Sequence, residues 1–533
     1  MESLVGFTQK DMIEQIMLLD EIKEKRQAEA IPALFDLYAT PAADSAVDEM
    51  VYHTLFELLV GREKEILAGL GHASRRVRLL CVRQAGESAS TGAKPVLLAM
   101  LKEEQDPEMA GEMIRSLGRF RTADLIGALL PYLKHDDYSV VAWTMQALVG
   151  IGGEAARDAL REVVATGAAT LGAKEICELT TALAVENLAH LADEQVITFL
   201  VGHIHHVNPS FRRVVINALV GIGADALDAL EKCLEKGDKD ERIMAANIIG
   251  MMGEKEGADV LIDLLDEGED LDGNLRFAVY EALGRINSLK CVVGLADGLA
   301  ETDAMVLMSV IIGMDNLCNP GIVKAVSAAL AKGDEQSRLI AKTVANAHAA
   351  KLFGALYEGG VHGDALIKAV AEAGDQEAIA LFQGELERIG GDKAVADSKK
   401  LTEGGGSIAT ISGKILAADD SKAIIFFYKG VATEMGIEMV TVPDGKDAFE
   451  YLQENTDIDL LITDMNMPVM DGVELTKKVR EMSQWRELPI IMATTESEKA
   501  QSDLARAAGV NDFLSKPFTG EQLKEKIGQY LSS

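Results

Sequence analysis

A motif of about 32 residues recurs over the first 390 residues and constrains the fold more than any other feature. Each copy opens with a polar, turn-forming stretch, continues with apolar residues at helical spacing, and closes on Leu-x-Gly or a close variant. The closing glycines lie 29 to 34 residues apart, with one interval of 71 that spans two copies: Gly86, Gly118, Gly150, Gly221, Gly250, Gly284 and Gly313. One helix pair cannot bury both of its faces, so neighbouring copies must stack. We therefore predict an α-solenoid of about ten to twelve helix pairs over residues 1–390.

The ends of the predicted helices carry recognisable signals. Asp106-Pro107 and Asn208-Pro209 are typical of an N-cap followed by proline at the first helical position. The closing glycines are expected to end their helices in the left-handed conformation, which glycine adopts at little steric cost.

The repeats resemble a known family. Each repeat has Asp or Asn, often Pro, then Arg, an Ala-rich helix and Leu-Gly. This order is similar to that of short HEAT repeats, especially those of phycobilin lyases. Four arginines lie near the arginine position of the pattern: Arg213, Arg242, Arg276 and Arg338. The resemblance covers roughly residues 25–390. It implies a HEAT-like solenoid but not a particular function, because such repeats serve many purposes.

Composition narrows the class of protein. The net charge of −33, most of it before residue 413, argues against nucleic acid or an anionic membrane as the main partner. The five cysteines are scattered, which predicts free thiols in a reducing cytoplasm. Because no stretch approaches a transmembrane helix and no signal peptide is evident, we expect a cytoplasmic protein without membrane insertion.

The pattern changes after residue 390. Residues 391–412 are rich in Gly, Ser and Lys with no apolar period, which predicts a flexible linker. Over residues 413–533, five apolar strands alternate with five helices, which predicts a doubly wound, five-stranded parallel sheet.

Acidic and basic residues follow the predicted strands. Asp419 and Asp420 end the first strand and Asp464 the third, Thr494 ends the fourth, and Lys516 follows the fifth. Ligands of such sheets bind at the carboxyl ends of the strands, where three converging carboxylates are costly without a cation. Hard oxygen ligands suit Mg²⁺. A metal, a lysine and a hydroxyl around one aspartate are what phosphoryl transfer to a carboxylate requires.

With the TDMNMPVMDG, ATT and KPF segments in the same order, residues 413–533 resemble the receiver domain of two-component response regulators. The resemblance implies that Asp464 is the phosphoacceptor. It also implies that Asp419, Asp420, Asp464 and the main-chain carbonyl of Asn466 hold Mg²⁺. Thr494 and Lys516 would bind the phosphoryl group, and Phe513 would be the aromatic switch coupled to Thr494. The Lys516–Pro517 bond is expected to be cis.

Further expectations concern lifetime and docking. Asn466 and Glu496 resemble the pair that tunes dephosphorylation in chemotaxis receivers, which implies a short-lived phosphoryl state. The switch should be read on the face formed by residues 497–509, 512–515 and 520–531, which we expect to contact the solenoid or a shared partner in one phosphorylation state only.

The sequence favours a signalling protein whose receiver is phosphorylated by a histidine kinase and modulates protein binding by the solenoid. It would be no enzyme beyond its own phosphorylation and dephosphorylation. Two alternatives stay open: a constitutive HEAT scaffold whose receiver is a phosphate sink or docking module, and, with less support, a lyase-like enzyme. The kinase and the solenoid's protein partner are not named by the sequence.

Overall fold

The chain is helical over most of its length and ends in a parallel β-sheet. The computed structural model describes residue 4 and residues 6–42, 44–171, 177–267, 271–360, 362–403, 413–494 and 499–531. The chain divides into two compact units, Met1–Thr170 with Glu178–Val196, and Leu171–Cys177 with Ile197–Ser533. The division falls within the repeats, so the second unit contains both repeat helices and the sheet.

Eleven helices of the described residues belong to the first unit, and a twelfth begins there and ends in the second. They are α1 (Met12–Glu24), α2 (Ile31–Tyr38), α3 (Ser45–Leu58), α4 (Glu63–Leu70), α5 (Arg75–Glu87), α6 (Ala93–Glu103), α7 (Pro107–Gly118), α8 (Ile126–Leu129), α9 (Tyr138–Ile151), α10 (Glu154–Thr170), α11 (Leu179–Ala189) and α12 (Glu194–Val201). The consecutive odd-numbered helices from α5 to α11 pack side by side, as expected of stacked pairs.

The repeat helices continue in the second unit. They are α13 (Pro209–Ile222), α14 (Leu227–Lys236), α15 (Lys239–Met252), α16 (Gly257–Glu267), α17 (Gly273–Arg285), α18 (Leu289–Asp297), α19 (Ala304–Asn316), α20 (Pro320–Leu330), α21 (Glu335–Asn346), α22 (Ala350–Glu358), α23 (Gly363–Ala373), α24 (Gln376–Ile389) and α25 (Gly391–Glu403). Odd-numbered helices form one layer and even-numbered helices the other, each contacting the next helix of its own layer. The predicted stacking of helix pairs is therefore confirmed.

The predicted caps are also present. The Asp106 side chain accepts a hydrogen bond from the Glu108 amide, and the Asn208 side chain accepts one from the Phe211 amide. Each is followed by proline at the start of its helix, and each satisfies an amide that the helix itself leaves unpaired.

The prediction for the closing glycines is wrong. They lie inside the last turns of their helices with ordinary helical backbone, and the left-handed glycines come later, for example Gly223 and Gly253 after α13 and α15. What most of the closing glycines provide is room between helices; at Gly221 a Cβ would meet nothing within 4 Å. A Cβ built on Gly284 of α17 would lie 2.5 Å from the Cα of Gly313 in α19. The glycine repeat therefore sets how closely neighbouring helices approach.

The predicted linker is also wrong over residues 391–403, which form α25. Its residues Ala394 and Leu401 are buried, and α25 packs against α24 and α23. The Tyr357 hydroxyl donates to the buried Asp397 carboxylate at 2.7 Å. Apolar residues seven positions apart suffice for a helix that a packed neighbour stabilises. Residues 404–412 lie outside the described residues.

The predicted parallel sheet is confirmed. Its strands are β1 (Lys414–Ala418), β2 (Glu438–Val442), β3 (Leu460–Asp464), β4 (Ile490–Thr494) and β5 (Asp512–Ser515), all parallel in the order β2-β1-β3-β4-β5. The helices that follow them in turn are α26 (Lys422–Met435), α27 (Gly445–Glu454), α28 (Gly472–Glu481), α29 (Lys499–Ala508) and α30 (Gly520–Leu531).

The sheet has a core on each face. Leu416 and Leu461 face α27, α28 and α29, whereas the alternate residues Ile415 and Ile462 face α26 and α30. The second core also contains Met305 of α19, which is buried. The repeat helices of the second unit thus extend the core of the α/β domain. In the described part of the chain, no helix has the length and apolarity to cross a membrane.

Candidate functional site

The predicted site residues meet at the carboxyl edge of the sheet. The strand order reverses at β1, which lies between β2 and β3, and such a reversal opens a crevice at the ends of the strands. Asp419 and Asp420 follow β1, and Asp464 is the last residue of β3. Lys516 follows β5, and its amide donates to the Thr494 carbonyl at 2.8 Å.

Lys516 is the centre of the cluster. Its ammonium donates to a carboxylate oxygen of Asp464 at 2.6 Å and to one of Asp419 at 2.7 Å. Asp419 and Asp464 are buried, with Asp419 only 1% exposed, and the Lys516 side chain is 10% exposed. Charge-assisted bonds of this length fix both carboxylates relative to the lysine.

The cluster holds more negative charge than Lys516 balances. Burial in the cluster, together with the neighbouring carboxylates of Asp464 and Glu281, raises the pKa of Asp420 to about 7. Burial also raises the pKa of Asp419, against the effect of Lys516. Burial would lower the pKa of Lys516, but Asp419 and Asp464 keep that pKa well above its usual value. The cluster therefore favours an additional cation.

The two predicted switch residues lie on neighbouring strands, Thr494 at the end of β4 and Phe513 on β5. Thr494 is buried, and its hydroxyl lies 3.9 Å from the sulfur of Met465. Phe513 on β5 is partly buried, with the Arg506 guanidinium 5.0 Å from its ring centre. The Lys516–Pro517 bond is cis, as predicted. Glu496, the second predicted tuning residue, lies outside the described residues.

Asn466 connects the acceptor to the repeat helices. Its amide donates to the Asp464 carboxylate at 2.8 Å, and its side-chain oxygen accepts a hydrogen bond from Arg212 of α13 at 2.5 Å. Arg212 is 2% exposed although it is a long cationic side chain. A second repeat residue, the buried Asn274 of α17, donates to the Lys516 carbonyl.

These contacts enclose a cavity of about 760 Å³ between the repeat helices of the second unit and the carboxyl edge of the sheet. Asp420 and Asp464 line one side, and Arg212, Arg213 and Arg285 line the other. The Asp420 side chain is exposed, but it faces this cavity rather than an open surface. Protein atoms therefore surround it, which explains why its pKa is raised.

The oxygen donors suit Mg²⁺ chemically, since three carboxylates face one cavity and hard cations prefer such ligands. In the arrangement described here, no three acidic, histidine or cysteine side chains of the described residues surround one point closely enough to hold a metal. The ammonium of Lys516 lies between Asp419 and Asp464 and acts as their counter-ion.

Away from the site, α26 carries most of the contact with the repeats. It packs against α19, α21 and α23, with the Phe426 ring 4.6 Å from the His348 ring. Ion pairs join Lys429 to Glu377 and Lys342 to Glu434. The face expected to contact the solenoid or a shared partner in one phosphorylation state, residues 497–509, 512–515 and 520–531, meets the repeats here at the start of α30, where Gly520 and Lys524 line a cavity with Lys342 of α21. Its dependence on phosphorylation stays a prediction.

Sequence reasoning missed Arg212 and Asn274. Arg213 matches the arginine position of the repeat, and Arg212 beside it is an extra cation that the repeat pattern does not require. The Arg212-Arg213 doublet is the sequence feature that could have indicated this contact. Asn274 follows a helix cap and carries no signal at all, because its partner lies 242 residues further along the chain.

Comparisons with known proteins agree with this geometry. Residues 415–528 match the response regulator receiver domain, and residues 95–173 and 227–315 match HEAT repeats. The chain belongs to the response-regulator receiver family.

Three relatives show how far the similarity reaches. Chemotaxis protein CheY1 of Helicobacter pylori is 46% identical over 115 residues, which cover 21% of this chain and 93% of the relative. A CheY homologue of Campylobacter jejuni is 43% identical over 121 residues, 22% of this chain and 93% of the relative. Chemotaxis protein CheY-3 of Vibrio cholerae is 36% identical over 115 residues, 21% of this chain and 88% of the relative. The similarity to these relatives thus covers about a fifth of the chain.

Proposed function

We propose that this chain is a response regulator in which Asp464 accepts a phosphoryl group from a histidine kinase and the HEAT-like repeats deliver the output by binding another protein. The observation that carries the proposal is the Asp464 carboxylate held 2.6 Å from the Lys516 ammonium at the strand-order reversal. In the transfer, a carboxylate oxygen attacks phosphorus, the phosphorus–nitrogen bond of the phosphohistidine breaks, and the imidazole leaves and is protonated.

The other residues have supporting roles in this proposal. Lys516 pairs with the phosphoryl oxygens, Thr494 donates a hydrogen bond to them, and Phe513 moves with Thr494. Asp419, Asp420, Asp464 and the main-chain carbonyl of Asn466 would hold Mg²⁺. When bound, the ion neutralises the developing charge on the transferring group. The acid-rich cavity and the surplus of carboxylates over lysine support this assignment.

The proposal predicts phosphoryl labelling that depends on magnesium. Full-length protein incubated with acetyl phosphate and Mg²⁺ should gain one phosphoryl group, mapped by mass spectrometry to the peptide that contains Asp464. With EDTA in place of Mg²⁺, labelling should be about 100-fold slower or more, since one preorganised charge contact is typically worth that much. Restoring Mg²⁺ is the control. Equal labelling rates with and without the ion would contradict the metal assignment.

A further inference from the structure

Two neighbouring arginines of the repeats face the acceptor. Arg212 and Arg213 lie near the N-terminus of α13, and both line the cavity that contains Asp464. Among the described residues, the repeat side of this cavity carries three arginines and one glutamate, in a chain whose net charge is −33. These arginines lie across the cavity from the carboxylates of the sheet edge, to which phosphorylation of Asp464 would add negative charge.

Arg212 already holds the loop that carries the acceptor. Its guanidinium donates to the Asn466 side chain at 2.5 Å, and the Asn466 amide in turn donates to Asp464 at 2.8 Å. Asn466 therefore links the Arg212 guanidinium by hydrogen bonds to the carboxylate that would be phosphorylated. A guanidinium carries five donors in a planar fork that matches phosphate geometry.

One buried hydrogen-bond donor of Arg213 has no acceptor in the described part of the chain. Its Nη1 atom is buried and has no hydrogen-bond partner among the described residues. A buried donor without an acceptor is costly, and an anion entering the cavity would relieve that cost. The cavity, at about 760 Å³, has room for a phosphoryl group without separation of the two walls.

We propose that Arg212 and Arg213 form a phosphoryl-aspartate-binding site in the repeats, so that phosphorylation of Asp464 tightens the docking of the receiver on α13–α23. The new group adds about −1.5 to −2 charges opposite the arginines, in a cavity where charge pairs are screened less than in water. The inference rests on the proposed function, because it requires that Asp464 be phosphorylated.

Tighter docking also protects the phosphoryl group. Asn466 was predicted to tune hydrolysis, and in the full chain its side chain is held by Arg212. While the repeats cover the site, the approach of water is restricted and Asn466 is fixed. The phosphoryl state of the full chain should therefore last longer than the resemblance to chemotaxis receivers implies.

The contact between α26 and α21 provides a readout far from the chemistry. The ion pair there, between Lys342 and Glu434, is exposed and worth little, so the contact depends on apolar packing that opens and closes with docking. Amide hydrogen exchange of α21 in the full chain, with Mg²⁺ alone and with Mg²⁺ plus beryllium trifluoride as a stable phosphoryl substitute, measures that docking.

In the wild-type chain, beryllium trifluoride should slow exchange of α21, by roughly 5- to 150-fold, the range typical of coupling between two sites. In Arg212→Gln and in Arg213→Gln the slowing should be largely lost, and phosphoryl decay after labelling with acetyl phosphate should be several-fold faster. Arg338→Gln, at an exposed arginine of α21 remote from the cavity, should behave as wild type. Arg213 is only partly buried, so its variant keeps the test valid where Arg212→Gln fails to fold.

The outcomes separate the two proposals. Absence of phosphoryl mass on wild-type Asp464 would overturn the proposed function and this inference together. Labelling of Asp464 accompanied by unchanged or faster exchange of α21 would overturn only the inference. The same holds if both arginine variants, folded by circular dichroism, respond to beryllium trifluoride as wild type does.

Discussion

Asp464→Asn is expected to abolish phosphoryl labelling of the full-length protein by acetyl phosphate and Mg²⁺. The variant keeps the shape of the side chain but removes the nucleophilic carboxylate. Asp419 also bonds Lys516 and accepts from the Ser421 amide at 3.0 Å, but its side chain is fully buried, whereas the Asp464 side chain is 10% exposed. Intact-mass measurement over the time course gives the result directly.

Asp503→Asn is the matched control for this variant. Asp503 lies exposed on α29 of the same domain, away from the cavity, so its replacement should leave labelling unchanged. If Asp464→Asn still took up one phosphoryl group at the wild-type rate, the acceptor would be another residue.

Gly284→Ala is expected to destabilise the second unit by about 1–3 kcal/mol or more, the usual cost of overpacking. The added methyl would lie 2.5 Å from the Cα of Gly313, where backbone rather than a movable side chain must give way. Since α17 also carries Asn274 and packs beside α19, the shift should loosen docking as well.

Gly221→Ala tests whether the loss of stability in Gly284→Ala comes from the close contact between helices and not from alanine in the helix itself. Gly221 occupies the same closing position in α13, but a Cβ there meets nothing within 4 Å. This variant should stabilise by about 0.5–1 kcal/mol, because alanine loses less backbone entropy in a helix than glycine. Thermal unfolding by circular dichroism, with hydrogen exchange of α17 and α19, distinguishes the two. Destabilisation of both variants by the same amount would contradict the close-approach explanation.

The parts of the structure that the sequence predicts are those with a local or periodic cause. The strands and helices after residue 413 follow alternating apolar runs and turns, and the convergence of Asp419, Asp464 and Lys516 follows because parallel strands end at one edge. The stacked pairs follow from the period of the repeat. In each case one short segment contains the whole signal.

The parts that it misses depend on packing between distant segments. The sequence around Gly284 is compatible with a glycine that ends a helix and with one that lets α19 approach closely. Only the position of the neighbouring helix shows which role the glycine has. Helix α25 has few apolar residues and forms because α24 covers them. The bond of Arg212 to Asn466 joins residues 254 positions apart, and no spacing rule predicts such a pair.

The burial of the acceptor determines how this protein would respond over time. Asp464 is 7% exposed beneath the repeat helices, so a kinase, which is too large to enter the cavity, can reach it only in chains whose receiver is momentarily released. The rate of input is then the kinase rate multiplied by the released fraction. If the arginines then held the phosphoryl group as proposed, release and hydrolysis would become rare. Brief kinase activity would phosphorylate few molecules. During sustained activity, phosphorylated protein would accumulate, and it would remain after the kinase becomes inactive.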